Sequence, residues 1–405
     1  RSKLGAGQVV FSSYYTGSYY AYVLLKSDDT LQYYNHSNVN IRTNRRFRDV
    51  SAWYHICITL DTTLSTEADR VKIYVNGVRE TSFNTATYPS VNAEVKFGDD
   101  NLHEVGRHDG GSYFDGSLSH FHFVTNTAYQ ASTFGSTDVT TGEWTINPSP
   151  TVTYNTNSFF ILKDGNSVTD QSGQGNNYSA SGTLTKTLDN PSNNFATWNS
   201  LTQAGGTYSN GNLSKDGGDD MCATIGVTSG KWYWETKKTN TGGSYHAGIT
   251  CTESSSGHVT QFLSGTNTVY SSAIWIREDG LITSRDYSGQ LSSISHTDNF
   301  SSLSNGDIMA FALDLDSSTK KLTYYQNGSE VGYSTFSYGG TVPVFPYFRM
   351  NTGCTGTANF GNGYFGTTAV SSNSGNGYSA SGSLGVFQYQ PPSGFTALCT
   401  KGLNE

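Results

Sequence analysis

The chain is 405 residues long, enough for two domains that each bury a core of their own. Charged residues make up 14%, against about 25% in an average soluble protein, while Gly (45), Tyr (27) and Phe (21) abound and Met falls to 3; this balance favours strands and turns over helices. The formal net charge of −8 speaks against a general nucleic-acid binder, and no apolar run approaches the roughly 20 residues that span a bilayer.

Residues 1–165 read as short strands between polar turns. Gln8-Val9-Val10-Phe11, Ala21-Tyr22-Val23-Leu24-Leu25 and Leu31-Gln32-Tyr33-Tyr34 come first, at the spacing of a sandwich or barrel. Arg42, Arg45, Arg46 and Arg48 form the one basic cluster, a solvated strand edge or, alternatively, a binding patch. Cys57 sits in the apolar run His55-Ile56-Cys57-Ile58, where a buried thiol is expected. The clearest hairpin is Val71-Lys72-Ile73-Tyr74-Val75-Asn76-Gly77-Val78. Val71, Ile73 and Val75 alternate onto one face, and Asn76-Gly77 suits the positive φ angles of a type I′ turn.

A Gly/Ser/Asn-rich stretch over 166–194 reads as the linker, and a second strand-rich block occupies 195–365. Its hairpin Lys321-Leu322-Thr323-Tyr324-Tyr325-Gln326-Asn327-Gly328 echoes the first. Tyr178-Ser179-Ala180-Ser181-Gly182-Thr183-Leu184 recurs almost unchanged as Tyr378-Ser379-Ala380-Ser381-Gly382-Ser383-Leu384, too few copies for a solenoid. Residues 366–405 read as an extended tail, since Pro391-Pro392 excludes helix and central strand. The five cysteines, Cys57, Cys222, Cys251, Cys354 and Cys399, show no CxxC and no zinc-finger spacing.

Two resemblances cover most of the chain. Arg46-Phe47-Arg48-Asp49-Val50-Ser51-Ala52-Trp53-Tyr54-His55-Ile56, the Val71–Gly77 hairpin, Tyr113-Phe114-Asp115-Gly116-Ser117-Leu118 and Phe121-His122-Phe123 follow one another as in a laminin G/concanavalin A-like lectin domain, which they resemble. That family opens with further strands before the equivalent of Lys3-Leu4-Gly5, so the resemblance implies a sandwich lacking its first strands. Ser229-Gly230-Lys231-Trp232-Tyr233-Trp234-Glu235, His246-Ala247-Gly248-Ile249, Gly306-Asp307-Ile308, Leu313-Asp314-Leu315-Asp316, Tyr325-Gln326-Asn327-Gly328 and Val344-Phe345-Pro346 resemble a SPRY domain. Together they imply an all-β chain: two tandem concanavalin A-like antiparallel β-sandwiches of jelly-roll type with an extended C-terminal tail. The combination, with the Asn190–Asn199 junction and the Pro-Pro-Ser-Gly-Phe tail, is similar to virion structural proteins of marine bacteriophages.

Catalysis finds little support in the residues. The E-x-D-x-x-E pattern of glucanases on this superfold is absent; Asp314-Leu315-Asp316 puts two carboxylates on one face but belongs to the SPRY pattern. His120 and His122 would project together from a strand as metal ligands do, yet no Cys or acidic pair completes a set, and solvent-facing sheet histidines are the plainer reading. Calcium at a rim, as laminin G-like domains hold it, would draw on Asp99, Asp100 and Asp109; no other cofactor is implied.

The sharper expectation is carbohydrate binding by the loop His103–Tyr113, with Arg107, His108, Asp109 and Tyr113 as contacts; a flexible Gly turn is the plain alternative. In the SPRY-like block Trp232 and Trp234 are expected to pack in the core, and Arg277, Asp279, Arg285 and Tyr287 to contact a partner from a loop-bearing stretch. The chain is therefore expected to be a non-enzymatic, oligomeric virion-surface protein, assembled in the bacterial cytoplasm, binding other virion proteins and host-surface glycan. Its rivals are capsid decoration and a secreted carbohydrate-binding module.

Overall fold

The computed structural model describes residues 1–404 apart from 18, 37, 51, 100, 140–141, 164–166, 183, 185–187, 192, 201–205, 219, 241–242, 253–270, 287–289, 299–300, 351–352, 371–377 and 380–383. Among them the fold is all-β, with no α-helix and only three-residue 3-10 turns, as the shortage of helix formers dictates. The chain divides into two compact units, residues 3–186 with 190–192, and residues 187–189 with 193–405.

The first unit is built on a six-stranded antiparallel sheet whose order is Phe83–Thr87, Val39–Arg46, Thr30–Asn35, Tyr19–Leu25, Gln8–Thr16, Leu102–Val105. A three-stranded sheet, Ile56–Leu60, Val71–Val75 and Val78–Arg79, packs against it. Leu25, Leu31, Tyr33, Val39 and Ile41 from the large sheet meet Val71, Ile73 and Val75 from the small one in a single core. The period of two in each strand thus gives the sandwich its interior. A second cluster of Phe11, Phe159 and Ile161, with Phe97, Phe121 and Phe123 against it, closes one end.

The hairpin turn forms as its sequence requires: Asn76 and Gly77 take φ of 47° and 76°, and Val75 pairs with Val78. Trp144 covers Gly77 so closely that a Cβ there would stand 2.1 Å from the ring. Residues of the polar stretch after Ile161 bind back onto this unit. The Asp170 carboxylate accepts the Phe160 amide, and Tyr178 packs its ring on Phe159 at 4.9 Å.

The second unit is a sandwich of a nine-stranded sheet, antiparallel but for one short strand, and a five-stranded antiparallel sheet. The larger runs through Lys231–Lys238, Ile308–Asp314, Lys320–Gln326 and Ser329–Tyr338; the smaller has the order Asp220–Cys222, Val344–Met350, Tyr245–Thr252, Ser271–Arg277, Ile282–Arg285. Trp198, Trp232, Trp234, Ile249, Ile274, Phe311, Phe348 and Phe360 fill the space between them, so Trp232 and Trp234 are core residues as expected. Asn327 and Gly328 repeat the type I′ geometry, with φ of 50° and 87°.

The C-terminal segment is integral to this unit. Thr396–Ala397 adds a parallel strand to Lys231–Lys238, and Phe387, Ala397 and Cys399 are buried with Phe195 and Tyr233. Beneath it lies Glu235, wholly buried, whose carboxylate accepts the backbone amides of Gln388 and Tyr389 at 2.9 Å each, Asn359 Nδ2 at 3.2 Å and the Tyr233 hydroxyl at 3.3 Å. One carboxylate therefore fastens the chain terminus to the sheet. All five cysteines are buried.

Candidate functional site

Strand alternation gives the large sheet of the first unit a second face, turned away from the core. Its rows follow from the register. Glu104, Ser12, Tyr22, Tyr34 and Asn40 stand opposite one another across five strands, and Tyr14 and Tyr20 form the next row. The rings touch: Tyr22 stacks on Tyr34 with centroids 5.1 Å apart, Tyr20 lies 5.9 Å from Tyr22 and 5.5 Å from Tyr34. All four tyrosines are half-buried. Burial, with Tyr20 and Tyr34 beside it, pushes the Tyr22 hydroxyl up to about 12, so Tyr22 stays neutral through the physiological range.

His108 completes the platform, its ring 5.2 Å from Tyr20 and 5.9 Å from both Tyr14 and Tyr22. The loop that carries it makes a tight turn. His108 and Gly111 exchange backbone hydrogen bonds at 3.0 and 2.9 Å around Asp109 and Gly110, whose φ values of 46° and 68° make a tight type I′ turn. Glu104, buried, braces it by accepting Arg107 Nε at 2.6 Å and the Asp109 amide at 2.7 Å. Ser12 Oγ donates to the Arg107 carbonyl at 2.8 Å. Polar groups continue beyond Tyr34, where Gln32 Nε2 donates to Asn40 Oδ1 at 2.7 Å and Arg42 bonds Thr30 and Asp28.

Of the expected contacts, His108 and Arg107 join this face. Asp109 sits at the turn, and Tyr113 is 61% exposed with its hydroxyl on the Gly110 carbonyl. The tyrosines were not singled out from the sequence, although the alternation Tyr20-Ala21-Tyr22 carries the signal. Three of the four clustered arginines form ion pairs, Arg42 with Asp28, Arg45 with Glu80 and Arg48 with Asp29, and Arg45, Arg46 and Arg48 remain exposed.

The two histidines near Phe121 do not share a strand face. His120 lies outside the strand at φ 49°, while His122 stacks on Phe160 at 3.8 Å and bonds the Tyr154 hydroxyl at 2.7 Å. Burial first, with cationic neighbours second, holds His122 down at about 3. Neither the metal pair nor a solvent-facing pair is formed. Asp99 pairs with Lys96, Asp100 lies outside the described residues, and among those described no three His, Cys, Asp or Glu side chains come together as a metal set.

In the second unit Arg277 bonds Asp279 at 2.8 Å where the Ser271–Arg277 strand ends. Arg285 is exposed at the end of the strand Ile282–Arg285 rather than on a loop, and Tyr287 lies outside the described residues.

The comparisons agree with this architecture. Residues 1–132 match the concanavalin A-like lectin/glucanases superfamily, and residues 231–363 match the SPRY domain. Among solved structures the chain is similar to the TRIM65 PSpry domain, at 15% identity, covering 40% of this chain and 88% of that one with a TM-score of 0.31. It is also similar to the SPRY domain of human HERC1, at 16% identity, 40% and 96% coverage and a TM-score of 0.28. Stonustoxin matches at 17% identity over 41% of this chain and 28% of its own, with a TM-score of 0.28. No curated protein matches. The chain therefore carries a concanavalin A-like domain followed by a SPRY domain, a class that binds carbohydrate or protein.

Proposed function

We propose that the protein is a non-enzymatic adhesin whose first unit binds glycan on the tyrosine face of its six-stranded sheet. The observation that carries this reading is the contiguous platform of Tyr14, Tyr20, Tyr22, Tyr34 and His108, bordered by Arg107, Asn40 and Gln32. Flat rings accept the apolar C–H face of a pyranose, and side-chain amides and guanidinium at the border meet its hydroxyls. Tyrosine offers that area at small entropic cost, because each ring has two torsions to fix. The resemblance of the tandem arrangement to phage virion proteins supports placing this face on a tail fibre or surface appendage, directed at host-surface glycan.

The test is an array of bacterial surface glycans probed with the full chain and with Tyr22→Ala and Tyr34→Ala. Binding that falls at least tenfold in both variants, with circular dichroism unchanged, is the expected result. An array without signal, or variants that bind as the parent does, refutes the assignment. Immunogold labelling of purified phage then separates tail from capsid: label spread over the capsid would replace adhesion with decoration.

A further inference from the structure

We propose a second ligand site, on the outer face of the five-stranded sheet in the second unit, that takes the carboxylate and adjoining oxygens of an acidic sugar. It does not depend on the tyrosine face. Asp220, Arg349, His246 and Arg277 stand opposite one another across four adjacent strands. The next row holds Cys222, Tyr347, Gly248 and Trp275. Alternation puts these residues opposite Met221, Ala247, Ile276 and Phe348, which fill the core, so they form the sheet's other face.

That face is short of acceptors. Arg349 Nε and Nη1, Arg277 Nε and Trp275 Nε1 are shielded donors with no hydrogen-bond partner among the protein's groups, and the ring nitrogen His246 Nδ1 beside them is unpartnered too. His246 and Trp275 are only 7% and 5% exposed. A shielded donor without a partner has lost its hydration and gained nothing, and folded proteins tolerate few of them. Four such donors on one sheet face point to a group that supplies oxygens from elsewhere.

The neighbouring carboxylates are engaged on other groups. Asp220 takes the Tyr347 hydroxyl and stays 3.9 Å from Arg349 Nε. Glu278 accepts the Tyr245 amide at 3.0 Å and lies 3.7 Å from His246 Nε2, and Asp279 holds Arg277 Nη2 at 2.8 Å. A ligand must therefore bring acceptors, and two guanidinium groups favour an anion.

Backbone spacing favours an extended anion. Arg349 and Arg277 are two strands apart, about 10 Å across the sheet, with His246 between them. One carboxylate, phosphate or sulfate satisfies the donors at a single point of that row. A sugar acid extends its ring and hydroxyl oxygens beside the carboxylate and meets donors along it. The row opens at Arg277, whose side chain is 41% exposed.

The experiment labels the full chain with ¹⁵N-tryptophan, assigns the Trp275 indole by Trp275→Phe, and titrates glucuronic acid, glucose and acetate. Glucuronate is expected to shift the Trp275 signal saturably, glucose to leave it in place, and acetate to bind at least about tenfold more weakly. Arg277→Gln and Arg349→Gln should each weaken glucuronate by about tenfold or more; the half-exposed Arg277 keeps the test open should Arg349→Gln not fold. No saturable shift, an equal shift with glucose, acetate as strong as glucuronate, or an Arg277 variant of parental affinity would each overturn the assignment. Because the readout is local to Trp275, neither this result nor the array result prejudges the other.

Discussion

Glu235→Gln is expected to flatten the pH dependence of the second unit's stability between pH 4.5 and about 7, the interval between the carboxylate's ordinary value and the one burial gives it. Desolvation raises Glu235 to about 7, against the pull of the Gln388 and Tyr389 amides, Asn359 and Tyr233. A folded value above the unfolded one means that the folded state holds the proton longer. The stabilisation is complete below pH 4.5 and is lost as pH rises towards 7. At about 1.4 kcal/mol per pKa unit, the loss across the window is roughly 3 kcal/mol. The glutamine side chain cannot ionise, so its variant should show none of this slope. Glu235→Ala strands the two backbone amides at about 1–3 kcal/mol each and should loosen the segment around Gln388 and Tyr389. Urea unfolding from pH 4 to 8 gives the stability curves, and hydrogen exchange at Gln388 and Tyr389 reports release of the segment. A Gln variant that follows the parent's curve would show that Glu235 does not titrate in this window and would refute the reasoning.

Gly77→Ala should destabilise the first unit by about 2–4 kcal/mol, since it forces a side chain into positive φ and against the Trp144 ring; thermal unfolding measures it. The imidazole of His122 should remain neutral from pH 8 to pH 5 in an NMR titration, because its value is held at about 3. Its depressed value also means that it contributes stability above the ordinary histidine range that is lost as pH falls through 6.5 towards 3.

Much of the fold was legible from the chain itself. Period-two alternation at Val71, Ile73 and Val75 determines which side of that strand is buried, whatever it packs against. Asn-Gly at 76–77 and 327–328 determines the turns, because few other pairs accept two positive φ angles in succession. These are local properties of the backbone and of transfer from water. The sites were not local. Tyr14, Tyr20, Tyr22, Tyr34 and His108 become neighbours only when three strands and a distant loop fall into register, and Arg349 reaches His246 across 103 positions of sequence only through strand pairing. Sequence spacing places a side chain on one face of its own strand; which residues from other strands share that face is decided by register, and register is a property of the assembled sheet.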